Sequence, residues 1–198
     1  DRKAEYKPED KKLELHLTWI TTLGVIVMLA PGLVVWHKYV TVPEDALNVE
    51  VVAYQWDWKY RLPGEDGILG KTEIKFINDE NPFGLNLDDP NGKDDLLVDS
   101  GDLHLQIDKP VKFLLRSLDV IHNFYVPQFR AKMDMLPGHV TFYWLTPIRT
   151  GDFEVLCAEY CGVGHYVMRG RVIVDEEKNY NQWLAQQITF EKMLTQNK

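Results

Sequence analysis

The chain has 198 residues, a formal net charge of −8 and a pI near 5.2. That acidity argues against nucleic acid as a partner, and two cysteines are too few for a disulfide framework. Once an N-terminal segment of about forty residues is set aside, the remaining length suits one domain.

Residues 1–14 read as a cytoplasmic N-terminal segment and 15–40 as a transmembrane helix. Leu17 to Trp36 (LTWITTLGVIVMLAPGLVVW) is twenty residues without a formal charge, about enough to cross a ~30 Å hydrocarbon core. Pro31-Gly32 would break a soluble helix but is tolerated in a membrane span. A signal peptide fits poorly, because the apolar run is too long and no small-residue cleavage site follows. Arg2, Lys3, Lys7, Lys11 and Lys12 precede the span and only Lys38 closely follows it. The positive-inside rule then leaves the N-terminus in the cytoplasm and 41–198 outside. Residues 41–198 hold 16 Lys and Arg against 25 Asp and Glu, an acidic surface that attracts basic partners.

Asn48 to Tyr60 (NVEVVAYQWDWKY) is β-rich and dense in aromatics. Arg61 to Gly70 reads as a turn-rich connection, and Asn78 to Asp102 as a solvated, acidic loop with Pro82, Gly84, Pro90, Asn91-Gly92 and Ser100-Gly101. Short strands are predicted at Leu103–Ile107, Val111–Ser117, His122–Gln128, Val140–Thr146, Gly151–Leu156 and Met168–Val174. Their regular spacing points to an all-β sandwich or barrel. Tyr180 to Leu194 reads as a short C-terminal amphipathic helix.

The chemistry concentrates in Cys157-Ala158-Glu159-Tyr160-Cys161-Gly162-Val163-Gly164-His165-Tyr166-Val167-Met168. Two thiols, an imidazole and a thioether in one loop form a soft-ligand set, which suits copper. Gly162 and Gly164 let the loop fold tightly, and His122 is placed to approach from another strand. A Cys157–Cys161 disulfide explains neither His165 nor Met168. A Cys₂His₂ zinc site leaves Met168 without a role. A mononuclear blue-copper site needs only one cysteine. The second cysteine favours two coppers bridged by thiolates, each capped by one histidine.

These residues carry a family resemblance. The chain resembles subunit II of the haem–copper cytochrome c oxidases, with its dinuclear CuA centre. Cys157 to Met168 fits the family pattern C-x-E-x-C-G-x-x-H-x-x-M. Asp119-Val120-Ile121-His122 is similar to the upstream D-V-x-H, and Lys132 to Gly138 to K-x-D-x-x-P-G. Gln55 to Tyr60 is similar to the aromatic Q-W-x-W-x-Y segment. Lys12-Leu13-Glu14 with Pro31 resembles the family's second membrane helix.

The resemblance implies an all-β cupredoxin-like Greek-key domain outside the membrane, preceded by the transmembrane helix. Cys157 and Cys161 would bridge the coppers, with His122 and His165 as caps. Met168 and the Glu159 carbonyl would be weak ligands. The Glu159 carboxylate would help hold Mg²⁺ shared with subunit I. Trp56 would be the electron entry point, Asp119 part of a cytochrome c docking patch, and Glu14 a residue at the mouth of a proton channel. Electrons from cytochrome c would pass through CuA to haem in subunit I, for O₂ reduction coupled to proton pumping. Implied partners are subunit I, further oxidase subunits, cytochrome c and membrane lipid. The implied location is the cell's inner (cytoplasmic) membrane, crossed once, with the copper domain on the periplasmic side, rather than the mitochondrial one. His16, His37, His104, His139, Trp58 and Trp144 read as interfacial or packing residues. Asp134 reads either as a turn aspartate or as part of the magnesium region.

The family usually has two membrane helices and this sequence shows one, with Asp1–Lys12 resembling the loop before the second. No Cys-x-x-Cys-His occurs, which leaves no c-type haem motif. Retained copper ligands argue against the quinol oxidases. Two alternatives remain open at this level. One is the CuA electron-entry subunit of a related nitric oxide reductase, and the other is a membrane copper-delivery protein.

Overall fold

The computed structural model describes every residue except 1, 5, 7, 87, 99, 100, 197 and 198. Lys7 of the basic flank and Ser100 of the expected Ser100-Gly101 turn therefore lie outside the described residues. The chain divides into two units, 1–41 and 42–198.

The first unit is a single helix, α1 (Lys11–Val40). Thirty residues at 1.5 Å rise make it about 45 Å long. It starts four residues before the expected boundary because Asp10 caps it, accepting a hydrogen bond from the Leu13 N–H at 3.2 Å. Pro31 sits inside the helix without ending it. The hydroxyls of Thr18 and Thr21 donate to the carbonyls of Glu14 and Leu17, both at 2.8 Å, so neither is left unpaired in an apolar stretch. Apolar side chains are exposed on every side from Leu13 to Val40, the pattern of a helix made for lipid. By length and composition α1 can cross a membrane. Glu14 lies in its first turn.

The second unit is a two-sheet sandwich. Its elements are β1 (Leu47–Tyr54), β2 (Asp57–Leu62), β3 (Leu96–Val98), β4 (Asp102–Gln106), β5 (Val111–Ser117), β6 (His122–Val126), β7 (Ala131–Met135), β8 (Thr141–Leu145), β9 (Gly151–Cys157), β10 (Arg169–Asp175), α2 (Glu177–Leu184), β11 (Ile188–Thr189) and α3 (Phe190–Gln196). One sheet runs β11-β3-β2-β1-β5-β8 and the other β4-β10-β9-β6-β7. β1 lies parallel to β5 and β4 parallel to β10; the remaining pairs are antiparallel.

Alternation decides which side chains enter the core. Along β5, Val111, Phe113, Leu115 and Ser117 are buried while the residues between them are not. Phe124 sits at the centre, with the rings of Trp58, Phe113 and Tyr60 at 5.3, 5.7 and 6.3 Å. The turns after β1, β5 and β9 gather at one end of this core, because β1 and β5 are parallel and β6 pairs with β9 at Phe124↔Cys157.

The six strands expected from Leu103 onward are present, with shifted ends. β6 stops at Val126 because Pro127 opens a 3₁₀ turn and Arg130 takes a left-handed φ of 53°. Two expectations are corrected. Residues 78–102 are not simply a solvated loop. They contain β3, and Phe83 and Leu85 join Val52 and Phe190 in a second, smaller core on the outer face of the first sheet. The single helix expected over 180–194 is interrupted. Ile188 pairs with Leu97, and the N–H groups of Phe190 and Glu191 donate to Asp95 and Lys93 carbonyls at 2.9 and 3.0 Å. Pairing with β3 and burying Phe190 outweigh continued helix.

A buried charge network fastens this added layer. Arg61 on β2 pairs with Glu50 on β1 and with Asp95, and Arg116 on β5 reaches Glu50 at 2.7 Å. The Gly70 N–H donates to Asp95 at 3.0 Å and Arg116 donates to the Phe83 carbonyl at 2.7 Å. Burial pushes the Asp95 carboxyl up to about 6, against the pull of Arg61. Removing one member leaves its partners buried and uncompensated. Arg61→Met is expected to cost about 3–5 kcal/mol, measured by urea unfolding of the full chain; a loss below about 1 kcal/mol, the range of exposed pairs, would show that the network does not hold the layer.

Candidate metal centre

Three connections build the site. Cys157 is the last residue of β9 and Met168 directly precedes β10, so the loop is anchored at both ends. The Cys157 N–H donates to the Met168 carbonyl at 3.4 Å, which closes the loop's base. Within it the N–H groups of His165, Val167 and Met168 donate to Gly162, Gly164 and His165 carbonyls. His122 enters from the first position of β6.

The side chains converge. The Cys157 and Cys161 sulfurs are 3.8 Å apart. His122 Nδ1 is 3.9 Å from Cys157 Sγ, and His165 Nδ1 is 3.6 Å from Cys161 Sγ. Met168 Sδ is 3.8 Å from Cys161 Sγ, and the Glu159 carbonyl oxygen is 3.1 Å from Cys157 Sγ. His122, Met168, Cys161 and Cys157 are 0, 1, 3 and 8 % exposed. All six residues expected at the centre thus lie together, Glu159 through its backbone.

The donor set fits a soft metal ion. The cysteines are free, and a metal–thiolate bond of about 2.3 Å exceeds half the sulfur separation, so one ion can touch both sulfurs. Donor atoms of His122, Cys157 and Cys161 all lie within 4.8 Å of one another. Among the described residues the Glu159 carboxylate joins no comparable group of three potential ligands. An oxygen-rich magnesium site is not formed by these residues alone.

Electrostatics distinguishes the two thiols. Burial pushes the Cys161 thiol up and the neighbouring Cys157 adds to it. Burial also raises Cys157, but hydrogen bonds with His122 and the surrounding backbone outweigh it and bring the thiol below its ordinary value. Burial opposes the charged form of His122, yet its bonds to Cys157 and Asp119 raise it overall.

Asp119 has a role its sequence position did not announce. Its carboxylate bonds His122 Nε2 at 2.8 Å and accepts the N–H groups of Val120 and Gln55 at 2.6 and 2.7 Å. Burial opposes its charge, but these donors hold its carboxyl below the usual range. Occupying Nε2 leaves Nδ1 facing the sulfur, the orienting arrangement typical around metal-bound histidines. The only sequence signal was the short spacing from Asp119 to His122.

Trp56 lies across the loop. Trp56 Nε1 and Gln55 Nε2 both donate to the Cys161 carbonyl, at 3.3 and 2.7 Å. Trp58, expected to pack, is fully buried with its ring 6.5 Å from that of His122. Asp134 is exposed and accepts from Asn123 Nδ2 at 2.5 Å. Around the buried donors stands an apolar rim that sequence reasoning missed. Tyr160, Val163 and Tyr166 are each 79 % exposed, and Ile121 and Val167, next in sequence to His122 and Met168, are exposed too.

A two-sheet sandwich with buried cysteine, histidine and methionine donors at one end, following an apolar helix of membrane-crossing length, defines a cupredoxin-like soft-metal domain. The comparisons with known proteins agree. The family profile described as "Cytochrome C oxidase subunit II, periplasmic domain" matches residues 47–176. The "Alternative cytochrome c oxidase subunit 2" of Bradyrhizobium diazoefficiens is 61 % identical over 189 residues, covering 96 % of this chain and 68 % of that protein. The "Probable cytochrome c oxidase subunit 2" of Rickettsia felis is 29 % identical over 173 residues, and there the chain spans 52 % of the relative's length. The solved periplasmic domain of subunit II of cytochrome oxidase (CoxB) of Bradyrhizobium japonicum shares the fold at a TM-score of 0.53 and 24 % identity, covering 73 % of this chain and 95 % of that one. A subunit II structure solved as a mixed-disulfide intermediate with a thioredoxin-like protein gives 0.50 and 27 %, covering 74 % and 93 %. The chain belongs to the cytochrome c oxidase subunit II family.

The packing of Trp56 can be tested directly. A Cβ on Gly164 would stand 2.3 Å from Trp56 Cδ2 and 2.7 Å from Cγ, in the body of the indole. Gly164→Ala is therefore expected to displace Trp56 or the loop, at a cost of about 1–3 kcal/mol, seen by denaturant unfolding and by a changed indole emission. Unchanged stability and emission would contradict this packing.

Proposed function

We propose that this chain is the electron-entry subunit of a cytochrome c oxidase and that the cluster holds a dinuclear CuA centre. The observation that carries the reading is the pair of thiols 3.8 Å apart, flanked by His122 and His165 on opposite sulfurs. Cys157 and Cys161 would bridge, His122 and His165 would cap, and Met168 and the Glu159 carbonyl would be weak ligands. Soft donors of this kind suit copper, which when bound supplies one-electron transfer.

The chain's own residues do the rest. Burial keeps water from the donors. Asp119 fixes the tautomer and direction of His122. Binding displaces the proton that burial holds on Cys161, so affinity rises with pH. Trp56 joins the surface to the Cys161 carbonyl and is the entry point for electrons. The apolar rim supplies a desolvated contact around it, and the acidic surface steers a basic cytochrome. Asp119, besides orienting His122, belongs to that docking patch. The Glu159 carboxylate would complete a Mg²⁺ site only with ligands from subunit I. Glu14 would sit by a proton channel of that subunit, where electrons pass to haem, O₂ is reduced and protons are pumped. The copper domain would lie on the periplasmic side of the inner membrane.

In the assembled oxidase, Cys157→Ser or His165→Ala is expected to abolish the mixed-valence two-copper EPR signal and cytochrome c oxidation together; normal turnover in either would refute the assignment. Trp56→Phe separates entry from binding. The copper signal should persist while cytochrome c oxidation falls about tenfold or more, the equivalent of about 1.4 kcal/mol in the barrier, and an unaltered rate would remove Trp56 from the path.

A further inference from the structure

The domain reverses its charge along one stretch. Between residues 109 and 149 six Lys and Arg stand against two Asp, while the rest of 41–198 carries ten against twenty-three; Arg116 belongs to the buried network with Glu50, which leaves five of the six for the surface. This stretch forms β5 to β8, and β7 and β8 are the edge strands of their sheets. The added layer over 63–95 packs its second core on Val52 of β1, in the interior of the sheet that β8 borders.

β8 turns apolar side chains outward. Tyr143 is buried, whereas Phe142 is 43 % exposed, Trp144 is half-buried and Ile148, just beyond the strand, is 84 % exposed. Lys112, opposite Trp144 in register, lies over the Phe142 ring at 4.9 Å. Arg130 and Arg149 border a cleft of about 540 Å³ beside Ile148. Both are exposed, and among the described residues neither pairs with a carboxylate.

We propose that this basic, aromatic face rests on an anionic lipid headgroup layer. Its charge opposes that of the rest of the domain and complements phospholipid phosphates. Trp and Phe beside Lys and Arg is the composition of surfaces that settle at headgroup level. The proposal rests on α1 crossing a membrane and is independent of the copper reading.

The test uses the full chain in nanodiscs of phosphatidylcholine, or of phosphatidylcholine with phosphatidylglycerol, read by hydroxyl-radical footprinting and mass spectrometry. Labelling of Phe142 and Ile148 is expected to fall about threefold or more in the anionic discs, while Ile74, 81 % exposed in the added layer, stays unchanged. Arg130→Glu with Arg149→Glu, or about 0.5 M salt, should restore the labelling. Equal labelling in both lipids overturns the proposal. So does protection that appears only when other oxidase subunits are present, which would assign the face to a protein.

Discussion

β9 is held against β10 by six register pairs, from Gly151↔Val174 to Leu156↔Arg169. That pairing leaves residues 157–168 as a closed excursion whose two ends cannot drift apart. Cys157 and Met168 therefore face each other across the loop's base, and Cys161 and His165 occupy its interior. Were β9 and β10 to slip by one residue, Cys157 would turn to the opposite face of the sheet. The donor set is thus a consequence of strand register, and the loop only has to bring its middle inward.

Other elements lock what the register begins. Asp119 accepts from Gln55, Val120 and His122 and so joins the turns after β1 and β5. Gln55 and Trp56 then donate to Cys161, tying the first of these turns to the third. One carboxylate and one carbonyl oxygen link all three connections at the site's end of the sandwich. Rigid placement of this kind keeps the donors aligned before any ion arrives.

Legibility followed the range of the forces involved. The cluster was readable because its donor residues lie close in sequence and share soft chemistry. β5 was readable because Val111, Phe113 and Leu115 alternate with Lys112 and Leu114 on a half-buried face. β7 was missed although Ala131, Met133 and Met135 alternate with Lys132 and Asp134, since Pro127 and Pro137 crowd it with turn signals. β3 and β11 could not be read at all. Two or three residues carry no period, and their pairing joins positions about ninety residues apart. Phe190 looked like one apolar position of an amphipathic helix, and only tertiary contact showed it as the plug of a second core. Asp119 is exposed, as a surface charge would be, and its bond to the buried His122 was hinted at only by the three-residue spacing.

The strand formed by Ile188 and Thr189 carries a consequence for biosynthesis. The chain emerges from its N-terminus, so Val52, Phe83 and Leu85 are made long before Phe190, which completes their cluster. During that interval the added layer has an open flank, and β3 presents an unpaired edge. At three residues that edge is too short to template stable pairing with another chain. Ile188 to Phe190 is made after every other part of this layer and acts as its latch, so a product truncated before Ile188 leaves this flank open to proteases and quality control even though every donor of the cluster is already in place.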